Sequence, residues 1–158
     1  MSLTITPART AADLAEAGTL IREYVAWLGI DLSFQNFDAE IADLAAKYHP
    51  PAGELLLARG EDGAPLGCVG VKAFPARPDA CEMKRLYLRD AARGTGAGRA
   101  LAEASIDAAR ALGYREMLLD TLSTMAPAVA LYRALGFESV PAYYANPVPG
   151  AVYFRLTL

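Results

Sequence analysis

The fold of this chain is decided by residues 86–101, LYLRDAARGTGAGRAL. An apolar strand end runs into a basic turn, and an amphipathic helix follows directly. Gly94, Gly96 and Gly98 leave no Cβ over this turn, so consecutive backbone N–H groups can converge on one point. The helix adds its unpaired N-terminal N–H groups and the positive end of its dipole. The turn therefore predicts an anion site, and phosphate or pyrophosphate is the ligand it favours.

Two common nucleotide-binding motifs do not fit this turn. A P-loop closes with Gly-Lys-Ser/Thr, and no such triplet follows. The dinucleotide fingerprint needs glycine or alanine at its sixth position, where this chain has Arg99 or Leu101 depending on the starting glycine. Either side chain prevents the close packing of helix on strand that the third glycine serves. From the turn alone, the alternative to an anion site is a tight strand-to-helix connection that uses its glycines for left-handed backbone conformations and binds no ligand.

Composition predicts one globular domain over residues 1–158, because 54% of the chain is hydrophobic and 21% is charged. A net charge of −3 favours neither nucleic acid nor anionic membrane as a partner. No apolar run approaches the ~20 residues of a membrane span. The N-terminus carries no secretory pattern, so we expect a cytoplasmic location. Cys68 and Cys81 lack Cys-x-x-Cys spacing and are predicted to be buried, reduced thiols, with a disulfide as the alternative; no metal site is expected.

The periodicity of the chain predicts the order β-α-α-β-β-β-α-β-α-β-β, an α/β domain with a mixed sheet of about seven strands and about four helices. Thr10 and Asp13 form a capping box for the first helix, which Gly29 ends. Asp38 is predicted to cap the second helix. After a short first strand, further strands are predicted near residues 54–59, 66–74, 80–88, 116–122, 137–142 and 151–158.

Two segments of the chain resemble motifs of one enzyme family. Residues 93–98 follow the order Arg-x-x-Gly-x-Gly, which resembles the acetyl-CoA pyrophosphate loop of the GNAT superfamily of N-acetyltransferases. Residues 130–137, ALYRALGF, are similar to that family's Leu-Tyr-x-x-Leu-Gly-Phe segment. The order and separation of the two motifs also agree with the family. The resemblance implies a GNAT-type fold with a mostly antiparallel sheet and acetyl-CoA as co-substrate.

The same resemblance implies where acetyl-CoA binds. Its pantetheine arm would lie between the strands that end near Leu88 and Leu122, against the main chain at Leu86, Tyr87 and Leu88. Its pyrophosphate would lie on the turn formed by Arg93, Gly94, Thr95, Gly96, Ala97, Gly98 and Arg99. One departure is Met125, which stands where several members carry an asparagine that contacts the coenzyme.

Tyr132 and Glu82 are the candidate catalytic residues. Tyr132 matches the family's tyrosine that faces the coenzyme sulfur and acts as a general acid; the alternative is a packed aromatic. Glu82 resembles the glutamate base of some members; alternatives are a water chain as base, or a surface glutamate paired to a neighbouring cation. Strand alternation predicts Glu82, Lys84, Leu86 and Leu88 on one face, with Cys81, Met83, Arg85 and Tyr87 on the other.

The acceptor side is less determined. The resemblance implies that the loop with Tyr143, Tyr144 and Asn146 lines it; the alternative is a structural loop whose tyrosines cover the sheet edge. Arg85 or Lys72 could bind an acceptor carboxylate. The resemblance implies direct transfer of an acetyl group to a primary amine, of a small molecule or amino acid. Protein or peptide N-termini, and a non-catalytic acyl-CoA-binding regulator, are the alternatives. Family members often dimerise, so a homodimer is possible.

Overall fold

Residues 2–158, which the computed structural model describes, contain seven β-strands that join one sheet. In chain order these are β1 (Thr4–Pro7), β2 (Glu54–Arg59), β3 (Pro65–Ala73), β4 (Ala80–Leu88), β5 (Glu116–Leu122), β6 (Glu138–Val140) and β7 (Ala151–Thr157). Across the sheet the order is β1-β2-β3-β4-β5-β7-β6, and only the contact between β4 and β5 is parallel. The mixed, mostly antiparallel sheet of seven strands is confirmed.

The described residues contain five α-helices rather than the predicted four or so. They are α1 (Ala11–Leu28), α2 (Phe37–Ala42), α3 (Leu44–Lys47), α4 (Ala97–Ala111) and α5 (Ala126–Ala134). Strand alternation in β2 divides the core between two layers: Leu55 and Leu57 face α1 and α3, whereas Leu56 and Ala58 face α4. No helix within residues 2–158 has the length and apolarity needed to cross a bilayer.

The start of α1 follows its sequence signals. The Thr10 hydroxyl accepts a hydrogen bond from the Asp13 amide at 3.0 Å, and the Asp13 carboxylate accepts one from the Thr10 amide at 3.1 Å. Gly29 ends the helix with φ of 67°, a left-handed conformation that glycine adopts without strain. Both predicted helix ends are confirmed.

The prediction of one second helix capped by Asp38 is wrong. Helix α2 begins at Phe37 after Asn36 in the left-handed conformation, and it ends at Ala42. Asp43 leaves the helical region at φ of −148°, and its carboxylate accepts the Ala46 amide at 3.1 Å to cap α3. An aspartate that caps a new helix competes with continuation of the previous one. The two short helices together close over the sheet face that α1 covers.

A bulge in β4 overturns the predicted alternation. The pairing of β3 with β4 shifts register between Cys68 and Gly70, and Arg85 on the bulged strand has φ of 61°. Leu86 and Leu88 consequently face α4, on the side of Cys81 and Met83. Arg85 and Tyr87 face α1 and α2, on the side of Glu82 and Lys84. An inserted residue inverts the facing of every later side chain, which period-two reasoning does not anticipate.

Two further expectations concern the strands. The predicted strand over residues 137–142 shortens to β6, because Pro141 has no N–H to donate to a ladder.

Cys68 in β3 and Cys81 in β4 are buried and unpaired, as the sequence predicts. Burial raises the pKa of each thiol to about 12. Both cysteines therefore belong to the packing of the sheet.

Candidate functional site

A cleft opens where β4 and β5 separate. The two strands pair only at Ala80–Glu116, Cys81–Met117 and Glu82–Leu118. Beyond this point β4 continues with β3 to Leu88, and β5 continues with β7 to Leu122. The backbone edges that face one another across the gap are left without strand partners, and hydrogen-bonding groups there are free for an extended ligand. The cleft is lined by Met83, Lys84 and Arg85 from β4 and by Asp120, Thr121 and Leu122 from β5.

The glycine turn lies at the end of β4 that borders this cleft. Gly94 and Gly96 have φ of 75° and 86°, and a Cβ added to either would meet nothing within 4 Å. Helix α4 then begins at Ala97 without a side-chain cap. In the described part of the chain, the amides of residues 94–99 donate to no other protein group. These consecutive free donors, with a helix dipole behind them, fit the predicted pyrophosphate.

Arg93 and Arg99, which flank the turn, each form an ion pair. Arg93 contacts the Asp90 carboxylate at 2.8 Å, and its Nε donates to the Leu88 carbonyl at 3.1 Å. Arg99 contacts Glu103 at 2.6 Å on the exposed surface of α4. The Arg93 guanidinium therefore stays beside the turn, where the field of a phosphate would reach it, whereas the pair with Glu103 directs the Arg99 guanidinium toward the next turn of α4.

Glu82 lies at the inner end of the cleft, within a buried polar cluster. Its carboxylate accepts a hydrogen bond from the Tyr143 hydroxyl at 3.0 Å. The Lys84 ammonium lies 3.9 Å from the same carboxylate. Tyr143 and Glu82 belong to different parts of the chain. Their hydrogen bond forms because the loop between β6 and β7 packs against β4. The interpretation of Glu82 as an ordinary surface glutamate does not hold, because its side chain is buried.

Asp120 is a second carboxylate in the cleft, and the sequence analysis did not select it. It accepts hydrogen bonds from the Tyr144 hydroxyl and from Asn146 Nδ2, the latter at 2.9 Å. Lys84 Nζ lies 4.0 Å from it. The sequence did carry one signal for Asp120. It is a charged residue that directly follows the apolar residues 117–119 of β5, at the point where that strand separates from β4. Tyr144 and Asn146, which are predicted to line the acceptor side, thus share Asp120 as their hydrogen-bond acceptor.

Gln35 connects the loop between β6 and β7 to strand β4 across the cleft through its side-chain hydrogen bonds. This residue ends a short 3₁₀ turn, Ser33–Gln35, between α1 and α2. Its Nε2 donates to the Tyr144 hydroxyl at 2.9 Å, and its Oε1 accepts from Lys84 at 3.2 Å and from Arg85 at 2.9 Å. Phe34 lies beside it and lines the space on both sides. The segment before α2 therefore forms a roof that is hydrogen-bonded to the loop between β6 and β7.

Arg85 is committed to a structural ion pair. Its guanidinium donates to both oxygens of Glu40 at 2.9 Å, and it lies 5.6 Å from the Phe37 ring centroid. Burial acts to raise the pKa of Glu40, but the hydrogen bonds and charge of Arg85 outweigh it and the pKa lies below its ordinary value. Burial lowers the pKa of Lys84, against the opposing charges of Glu82 and Asp120. Arg85 is thus not available for an acceptor carboxylate.

Tyr132 packs between α5 and the sheet. Its ring centroid lies 5.8 Å from that of Phe137 and 6.3 Å from that of Phe154, and the residue is 7% exposed. Burial raises its pKa above the ordinary value for a phenol, so the hydroxyl is protonated at neutral pH. A second phenol, Tyr24 of α1, lines the cleft, and burial raises its pKa to about 12. The sequence placed Tyr24 only on the buried face of its helix.

Comparison with known proteins gives a consistent result. The family model described as the acetyltransferase (GNAT) family matches residues 21–137. An uncharacterised N-acetyltransferase of Schizosaccharomyces pombe is 45% identical over 157 residues, which cover 99% of this chain and 96% of that protein.

Solved structures share the fold over nearly the whole chain. A GCN5-related N-acetyltransferase from Kribbella flavida is 25% identical, with a TM-score of 0.72 over 99% of this chain and 98% of that one. A GNAT-family acetyltransferase from Staphylococcus aureus has a TM-score of 0.80 at 14% identity and covers 99% of both chains, which shows the fold alone.

Proposed function

The chain belongs to the acetyltransferase (GNAT) family, and we propose that it transfers an acetyl group directly to a primary amine of a small molecule or amino acid. The observation that carries this proposal is the roof formed by Gln35. Its hydrogen bonds to Tyr144, Lys84 and Arg85 close the acceptor side above the sheet. A space covered on one side by hydrogen-bonded side chains suits a small amine better than an extended peptide.

The donor side is supported by the turn and the cleft. The free amides of residues 94–99 would hold the diphosphate of acetyl-CoA, and the separated edges of β4 and β5 would hold its pantetheine arm between Leu86, Tyr87 and Leu88 and the facing strand. Acetyl-CoA supplies an acetyl group activated as a thioester. Holding donor and acceptor side by side in one cleft supplies much of the rate by proximity.

Two proton transfers complete the reaction. Glu82 accepts the proton that the amine loses, through a water molecule, and the Tyr143 hydroxyl orients its carboxylate. The amine nitrogen then forms a bond to the acetyl carbon as the bond to sulfur breaks. Tyr132, whose phenol is protonated at neutral pH, donates its hydroxyl proton to the departing thiolate.

The test is release of the CoA thiol, measured with a panel of small amines and of peptides with free N-termini. We expect turnover with small amines. Tyr132→Phe and Glu82→Gln should each lower kcat by about 10²-fold or more, with affinity for CoA kept. Tyr114→Phe removes a hydroxyl that bonds the Ala52 carbonyl outside the cleft, and it serves as the matched control.

Other outcomes would overturn parts of this proposal. Turnover with peptides alone would replace the small-molecule acceptor by a protein N-terminus. Binding of acetyl-CoA without turnover on any amine would identify an acyl-CoA-binding regulator. A larger loss in Tyr24→Phe than in Tyr132→Phe would transfer the acid role to Tyr24, which lines the cleft.

A further inference from the structure

We infer that the acceptor carries a carboxylate beside its amine, and that Lys72 is the residue that selects it. This inference rests on the proposed function and names the acceptor class. It starts from a second space in the fold, next to the cleft and under the same roof. That space is lined by Lys72 and Phe74 of β3, Glu82 and Lys84 of β4, Phe34 of the roof, and Tyr144.

The charged side chains around this space are paired, with one exception. Glu40 pairs with Arg85 at 2.9 Å, and Lys84 lies between the other two carboxylates, 3.9 Å from Glu82 and 4.0 Å from Asp120. Lys72 takes part in the sheet through its backbone, but within residues 2–158 its side chain makes no ion pair or hydrogen bond. Three carboxylates and three cations therefore lie around this space and the adjoining cleft, and the Lys72 ammonium has no protein anion.

The register of the sheet makes this exception informative. Lys72 and Glu82 are direct partners across β3 and β4, so both side chains stand on the same face of the sheet. Opposite charges at such a position ordinarily pair. Here the Tyr143 hydroxyl and Lys84 hold the Glu82 carboxylate instead. An ammonium and a carboxylate thus stand side by side over one space without neutralising each other.

An α-amino acid has the complementary arrangement of charges. Its amine would lie toward Glu82, the proposed base, and its carboxylate would accept a charge-assisted hydrogen bond from Lys72. Arg85 cannot take this role, because its Nε and Nη2 donate to the two Glu40 oxygens and its Nη1 donates to Gln35. The rings of Phe34 and Phe74 border the same space and would cover the acceptor's carbon skeleton.

The experiment compares each standard amino acid with its own carboxamide as acceptor, in the acetyl-CoA assay described above. The wild-type chain should prefer the acid, measured as the ratio of kcat/KM for acid over amide. Lys72→Gln should lower this ratio about tenfold or more, because one hydrogen bond to a charged group is lost. Lys72→Arg keeps the charge and should retain most of the preference. Lys47→Gln makes the same substitution outside the site and is the control.

A second readout separates this inference from the proposed function. Calorimetry of amino acids and their amides, added to the chain with bound CoA, reports acceptor binding without turnover. One outcome is that the wild-type chain binds amino acids without any turnover, and that Lys72→Gln abolishes this binding. This result would refute the proposed function and keep the inference. A wild-type chain that acetylates amides as well as acids would refute the inference and keep the function. The inference would also be refuted if Lys72→Gln left the acid-to-amide ratio of kcat/KM unchanged. This outcome counts only when the variant unfolds at the same temperature as the wild type.

Discussion

Replacement of Glu40 by glutamine should destabilise this fold more than any loss of a surface ion pair. The Arg85 and Glu40 side chains are only 4% and 5% exposed, and two hydrogen bonds of 2.9 Å join them. Removing one partner of a buried pair costs ~3–5 kcal/mol, because the remaining charge stays buried without compensation. Glutamine keeps one acceptor oxygen, so the lower end of that range, about 3 kcal/mol, applies. For a chain of this size the loss corresponds to a fall in Tm of about 6–12 °C.

The assay is thermal and urea unfolding followed by circular dichroism. Glu103→Gln makes the same chemical change in the exposed pair with Arg99, where both side chains are about half exposed. That control should lose no more than ~0.5 kcal/mol. Equal losses in the free energy of unfolding for Glu40→Gln and Glu103→Gln would refute the view that the buried pair holds α2 to β4.

The same pair gives a pH dependence with a definite sign. The pKa of Glu40 is lowered in the folded chain, so its ionised form stabilises the native state above the pKa of an unfolded glutamate. This contribution is lost as the pH falls through the lowered pKa of the folded state. The difference in stability between wild type and Glu40→Gln should therefore shrink as the pH falls into the acid range, and a difference that grows there would contradict this assignment.

Three further predictions concern other parts of the chain. Gly96→Ala should lower the free energy of unfolding by ~1–2 kcal/mol, because Gly96 has φ of 86°, and it should weaken CoA binding measured by calorimetry. Gly63 has φ of 81° in a hairpin loop, so Gly63→Ala should lower the stability by a similar amount and leave CoA affinity unchanged. Cys68 and Cys81 should resist aromatic disulfide reagents at pH 8 until the chain unfolds, because burial raises the pKa of each thiol to about 12; fast labelling of the native chain would contradict this. Gly70→Ala would place a Cβ 2.5 Å from a buried tyrosine ring and should cost ~1–3 kcal/mol in urea unfolding, and a neutral effect would show that the ring moves freely.

Local signals along the chain predicted much of this fold. The capping box at Thr10, the apolar run of residues 117–119 in β5 and the glycine turn at residues 94–98 each depend on neighbours in the sequence, so each could be recognised there. The donors of the anion site belong to one turn and the helix that follows it. For that reason the candidate pyrophosphate site needed no tertiary information to be predicted.

The acceptor side was decided by tertiary structure. The bulge at Arg85 arises from the pairing of β4 with β3, and it turns Arg85 toward Glu40, 45 residues earlier in the chain. The contact of Tyr143 with Glu82 spans 61 residues. Which charges are paired, and which one is left for a ligand, depends on these distant contacts. A periodic pattern fixes the face of a side chain only while the strand stays regular, and β4 stops being regular where the site begins.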